Sequence, residues 1–218
     1  MVPTNLDGAS LAERISQTLT KDILNRSLRG GDRLVETELQ NHFGVSRSPL
    51  REAFRDLKKK GLVEIRPRRG TFVKNINRKD INEHYPVLAA LEGLAAREAH
   101  GLMTKKHKND LANHFEGMHD AAHNGDVELF LKKHDWFHLV YITASGNQLL
   151  IDMIQDMRLR GTILRYFYKY THAYCKQSLD IHSRILSALG NPDEDPNDVG
   201  RLIRSHIEDM LVMKGWAL

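Results

Sequence analysis

Within the first third of the chain the hydrophobic repeat switches from helical to strand spacing, and glycines mark the breaks. Leu11, Ile15, Leu19, Ile23 and Leu24 recur at helical spacing and predict a first helix from about Ser10 to Leu28, stopped by Gly30 and Gly31. Leu34 and Val35 lead into a short second helix over about 36–43, with Leu39 and Phe43 turned inward, and Gly44 breaks the chain. A third helix follows, with Ser48 as its N-cap, Pro49 at the first helical position, Leu50, Phe54 and Leu57 as its buried stripe and Gly61 as its stop. Leu62–Arg66 and Thr71–Lys74 then alternate apolar with polar residues, joined by Pro67-Arg68-Arg69-Gly70, which reads as a small hairpin. Two helices, a tight turn, a third helix and a hairpin make a winged helix-turn-helix, assigned to residues 1–74.

The remainder reads as helix throughout. A polar linker over 75–82 precedes an all-helical bundle over 83–218, so the fold class is mainly α. Leu88, Leu91, Leu94, Ala95 and Ala99 mark one helix ending near Gly101, and further helices fit about 104–123, 126–144, 147–168, 175–189 and 197–214. No run approaches the roughly 18 apolar residues of a membrane span, and Met1–Ser10 lacks the basic start and apolar core of a secretory signal. Cys175 is the only cysteine, which excludes an internal disulfide and fits a reducing cytoplasm.

Charge is unevenly spread. Residues 1–74 hold 15 Lys/Arg against 9 Asp/Glu, and within 46–74 alone the ratio is 10 to 3, whereas 75–218 hold 17 against 19. A basic block on a balanced chain is the footprint of a polyanion site when its geometry also fits. Val45-Ser46-Arg47-Ser48-Pro49-Leu50-Arg51 supplies that geometry. Leu50, Phe54 and Leu57 anchor the helix, and Arg47 and Arg51 lie one turn apart, each able to present a bidentate fork to guanine. Ser46 and Ser48, with the free N–H groups of a helix start, suit a phosphate. Arg68, Arg69 and Gly70 form the hairpin tip, where glycine permits close approach and arginine matches the negative minor groove. Double-stranded DNA is the expected partner.

Twelve histidines include two pairs at i, i+4, His119/His123 and His134/His138. The first sits beside Asp120, Asn124 and Gly125 and reads as solvated. The second lies among Trp136, Phe137, Leu139 and Tyr141 and is either a chelating pair or hydrogen-bonded core. An enzyme, such as a metal hydrolase with a DNA-binding head, is the competing class. The zincin motif needs Glu directly after its first His, however, and here that residue is Asp135; no nucleophile elbow or phosphate loop is found either.

The segment Leu11–Val73, above all Val45–Leu57 and Lys60–Val73, resembles the DNA-binding domain of the GntR superfamily of bacterial regulators. The resemblance implies a homodimer on a short palindromic operator, with contacts at Thr37, Ser46, Arg47, Ser48, Arg51 and Gly70; many members carry Arg where this chain has Thr37. Phe137-His138, Ala144-Ser-Gly-Asn147, His182–Leu189 and His206 are similar to the all-helical FCD effector domain of the FadR branch, in its six-helix VanR-like variety. That likeness implies a divalent metal, zinc first and nickel second, held by His134, His138, His182 and His206. His134 stands where the family usually has Asp, and Asp135 projects about 100° away from it on a helix. The likeness also implies a small carboxylate effector. The Arg that many relatives place one turn before the residue matching Glu92 is Leu88 here, which leaves Arg158, Arg165 or the metal itself to meet such an acid. The expected function is a metabolite-responsive transcriptional regulator, most often a repressor in this family, rather than an enzyme. A purely structural metal is the alternative.

Overall fold

A computed structural model describes residues 9–75, 77–166 and 170–213, without the side chains of 162, 163, 165, 166 and 210–213. The chain separates into two compact units. The first covers the chain to Asp80 and a short stretch from Arg158; the second runs Ile81–Met157 and resumes after that stretch.

In the first unit, α1 (Leu11–Leu24) opens with a capping box. The Ser10 hydroxyl accepts from the Glu13 N–H at 3.2 Å, and the Glu13 carboxylate accepts from the Ser10 N–H at 2.7 Å. The helix stops earlier than its periodicity predicts, because Asn25 caps it and Arg26 turns to a φ of 66°. A two-residue strand, β1 (Arg33–Leu34), follows; it is too short to show alternation in the sequence. α2 (Glu36–Phe43) buries no residue fully, so Leu39 and Phe43 are half-buried, and Gly44 ends it in the left-handed region at φ 64°.

α3 (Arg47–Lys59) has Ser46 at its N-cap position, not Ser48 as the sequence predicts. Pro49 therefore sits third in the first turn. The N–H groups of that turn have no partner within the helix, so proline costs no hydrogen bond there either. Leu50, Ala53, Phe54 and Leu57 of α3 are buried, as are Ile15, Leu19 and Ile23 of α1, and the two helices pack together. Ser16 and Lys60 meet Asp56 beside them, with Lys60 Nζ 3.2 Å from Ser16 Oγ.

β2 (Val63–Arg66) and β3 (Gly70–Val73) form the expected hairpin, pairing Val63 with Val73 and Arg66 with Gly70. β1 joins its far side, with Arg33 opposite Phe72 and Leu34 opposite Thr71, giving the order β1-β3-β2.

The rest of the described chain is carried by α4 (Arg78–His100), α5 (Lys105–His123), α6 (Val127–Ala144), α7 (Gln148–Tyr166), α8 (His172–Gly190) and α9 (Pro196–Met213). α4 begins inside the polar stretch that reads as linker, because Asn77 and Asp80 exchange side-chain-to-backbone bonds at 3.0 and 3.1 Å. Polar residues there start a helix instead of loosening the chain. Thr104, Asp126 and Thr171 each accept from a first-turn N–H of α5, α6 and α8. The last of these caps starts α8 at His172, ahead of the predicted 175. α5 packs on α6 and α8, and Leu111, Met118, Phe130, Phe137, Tyr141, Ile142 and Ile185 fill the core between them. No described helix is long and apolar enough to cross a membrane.

Candidate nucleic-acid interface and metal centre

The first unit presents the basic residues at its surface. Ser46, Arg47, Ser48 and Arg51 are all exposed at the start of α3, and Thr37 is exposed on α2. The Ser46 side chain makes no cap bond, and the first turn of α3 contains no acidic residue, so its N–H groups meet an incoming anion without competition from a carboxylate. Glu36 holds Arg51 from α2, Oε1 to Nε 3.6 Å.

At the hairpin tip, Arg68 takes the left-handed region at φ 60° and Gly70 a φ of 108°, so the exposed Arg68 and Arg69 sit on a tight turn. Two further arginines join this hairpin. The Arg66 guanidinium lies 4.5 Å over the Phe72 ring. Arg33 Nε lies 3.2 Å from the point where a β-carbon on Gly70 would stand. Sequence reading misses Arg33, because nothing in a two-residue strand signals that it pairs with the wing.

In the second unit, three helices bring together the histidines that the sequence places far apart. His134 and His138 lie one turn apart on α6, His182 is on α8 and His206 on α9. One ring nitrogen from each lies within 4.8 Å of all the others, and the four residues are between 0% and 7% exposed. Asp135 is not in this donor set; its Oδ1 lies 3.8 Å from His134 Nδ1. His119 and His123 are exposed and stand apart from the cluster.

Hydrogen-bond partners orient two of the rings. His182 Nδ1 lies 2.6 Å from the Ser178 carbonyl oxygen, to which it must donate. His138 Nδ1 lies 2.9 Å from Glu92 Oε2 and 2.7 Å from the Tyr141 hydroxyl oxygen, and that hydroxyl donates to Glu92 Oε2 at 2.6 Å. The two Nε2 atoms lie 3.1 Å apart. Burial, and after it the neighbouring His206, push His182 down to about 3. The four ring nitrogens converge closely enough to serve as ligands to one cation. A proton would serve two nitrogens only, whereas a divalent ion serves four. Metal–N bonds of about 2.0–2.1 Å in a tetrahedral site set nitrogens roughly 3.3–3.4 Å apart, close to the 3.1 Å of the His138–His182 pair. The residues present fit a metal ion.

Sequence reading also misses the role of Glu92, 1% exposed on α4, and of Tyr141. A Tyr three residues past a histidine in an apolar helix was the available signal. Leu88 is buried one turn before Glu92 and brings no charge. Arg158 is half-buried on α7 and belongs to the first compact unit, whereas the histidines belong to the second. The Arg165 side chain lies outside the described residues.

Comparison with known proteins accounts for both halves. Residues 11–73 match the family described as bacterial regulatory proteins, gntR family, and residues 83–209 match the FCD domain. The chain is 29% identical over 199 residues to the HTH-type transcriptional repressor RspR of Escherichia coli K12, covering 91% of this chain and 86% of that protein. It is 24% identical over 188 residues, 85% of each, to the HTH-type transcriptional regulator McbR of the same strain. The solved structure of E. coli McbR/YncC shares the fold with a TM-score of 0.73 at 20% identity, over 95% of this chain and 98% of that one. With a helix-turn-helix head and a helical domain each matched along nearly their whole length, the chain belongs to the GntR family of bacterial regulators with an FCD domain, a family of DNA-binding transcriptional regulators and not of enzymes.

Proposed function

We propose that this regulator is a metabolite-responsive repressor that binds a palindromic operator as a homodimer and holds one divalent ion on His134, His138, His182 and His206. The observation that carries the metal reading is the convergence of four buried histidines from three helices, one ring nitrogen of each within 4.8 Å of the others. An all-imidazole donor set favours zinc, with nickel next. Bound there, the ion would act as a Lewis acid toward an oxygen donor of a small carboxylate effector. The chain's own residues orient the rings and exclude water from them. The repressor assignment draws support from the name of RspR.

DNA recognition in this reading falls to Ser46, Arg47, Ser48 and Arg51 on α3, Thr37 on α2, and Arg68, Arg69 and Gly70 on the hairpin. Phosphate contacts set the register and the α3 arginines read base edges. An effector changes operator affinity only through unequal binding to the two arrangements of the DNA-binding heads. The test is binding to the region upstream of the protein's own gene against a scrambled duplex at fixed salt. Equal affinities overturn the reading.

The near-complete burial of the four histidines also favours a second reading, in which the ion only ties α6, α8 and α9 together. Thermal midpoints with zinc, and then with candidate acids added, separate the two. An acid that raises the midpoint only when zinc is present supports sensing at the ion.

A further inference from the structure

Four neutral imidazoles bring no charge to a divalent ion. The chain keeps a carboxylate one layer further out. Glu92 projects from α4 into the core, where it is 1% exposed, and its Oε2 receives both His138 Nδ1–H at 2.9 Å and the Tyr141 hydroxyl at 2.6 Å. A carboxylate is withdrawn from water at a cost of several kcal/mol unless donors and positive charge meet it. His138 leads from that carboxylate directly to the cluster, its Nε2 being the atom 3.1 Å from His182.

We propose that Glu92 supplies, through His138, the negative charge that an all-histidine donor set lacks. It is a positioning residue: it does not touch the ion, but it fixes the His138 tautomer, holds the ring's lone pair toward the cluster and makes that nitrogen a stronger donor. Tyr141 shares the oxygen and sets the carboxylate's orientation. This inference rests on the metal reading above.

A charge-swap experiment tests it. Full-length protein stripped of metal is titrated with Zn²⁺ against a competing chromogenic chelator, for the parent, Glu92→Gln, His134→Asp and the double variant. Glu92→Gln is expected to weaken zinc by roughly 10- to 100-fold. The double variant, which returns a carboxylate directly to the donor set, is expected to recover most of that loss. A role in packing alone would give the same loss in both backgrounds. Glu92→Gln binding zinc as tightly as a zinc-binding parent overturns the inference and leaves the metal reading standing, and so does a loss that His134→Asp fails to recover. A parent that takes up no zinc overturns both. Should Glu92→Gln fail to fold by circular dichroism, Glu92→Asp replaces it. That variant keeps the charge but draws it back from His138; weaker zinc binding supports the inference, and unchanged binding overturns it.

Discussion

Gly93 and Gly200 meet backbone to backbone: a β-carbon on either would stand 2.8 Å from the carbonyl oxygen of the other. The contact joins α4 to α9, and both helices carry site residues close to it, Glu92 beside Gly93 and His206 further along from Gly200. The approach of these two helices therefore helps to set how His206 reaches the other three imidazoles.

Gly93→Ala checks that coupling. Alanine in place of glycine inside a helix normally stabilises it by about 0.8–1 kcal/mol. Here the added methyl meets a backbone oxygen that cannot rotate away, and overpacking of this kind costs about 1–3 kcal/mol. A net loss in urea denaturation, with weaker zinc binding, is the expected result. A variant more stable than the parent would mean that the helices separate freely at this point.

Withdrawal of the metal should lower the thermal midpoint. An ion that binds only the folded chain stabilises it by about 2.7 kcal/mol at a free concentration a hundred times its Kd. For a chain of this size that amounts to roughly 5–10 °C. A chelator should remove this increment, zinc should restore it, and His182→Asn should make the protein indifferent to both. A midpoint unmoved by chelator would remove the metal from the account.

Much of this was legible from one chain, for a physical reason. Helix and strand periodicities are local, so Leu50, Phe54 and Leu57, and the alternation from Leu62 to Lys74, declare themselves within a few residues. His134 and His138 were visible as a pair because one helical turn relates them. His182 and His206 were reached only through the family resemblance, since no local rule ties residues on separate helices. Arg33, Glu92 and the Gly93–Gly200 contact were hidden for the same reason: each matters through a partner distant in sequence. The misplaced start of α3 has another cause. Ser46 and Ser48 are both sound caps before a hydrophobic stripe, and only the backbone decides between them.

Acid should destabilise the metal-free protein through His182. Its folded value of about 3 lies below the ordinary 6.5, because burial and His206 disfavour the imidazolium. Between those values the unfolded chain binds a proton that the folded chain does not. Stability therefore rises with pH across the window, and falls as pH drops from about 6.5 toward about 3. One such group gives a slope of about 1.4 kcal/mol per pH unit. Above pH 6.5 the group contributes no slope. Denaturation of chelated protein at several pH values should show this, and His182→Asn should flatten it; an equally steep profile in that variant would assign the acid sensitivity elsewhere.

Operator discrimination should reside in Arg47 and Arg51. Both are exposed on α3, above the stripe of Leu50, Phe54 and Leu57, so replacing them leaves the core untouched. A bidentate arginine–guanine pair is worth about 1–3 kcal/mol of discrimination. The variant Arg47→Ala/Arg51→Ala should therefore lose roughly 10²- to 10⁴-fold in preference for its operator over scrambled DNA at fixed salt, with an unchanged thermal midpoint. Glu36→Ala should act in the opposite direction on affinity. It frees Arg51 from a carboxylate 3.6 Å away and removes a negative charge beside α3, so binding to any duplex is expected to tighten modestly and its salt dependence to steepen. Fluorescence anisotropy with the two duplexes at two salt concentrations reads all of these effects. A double variant that still selects the operator as well as the parent would show that α3 is not the reading helix.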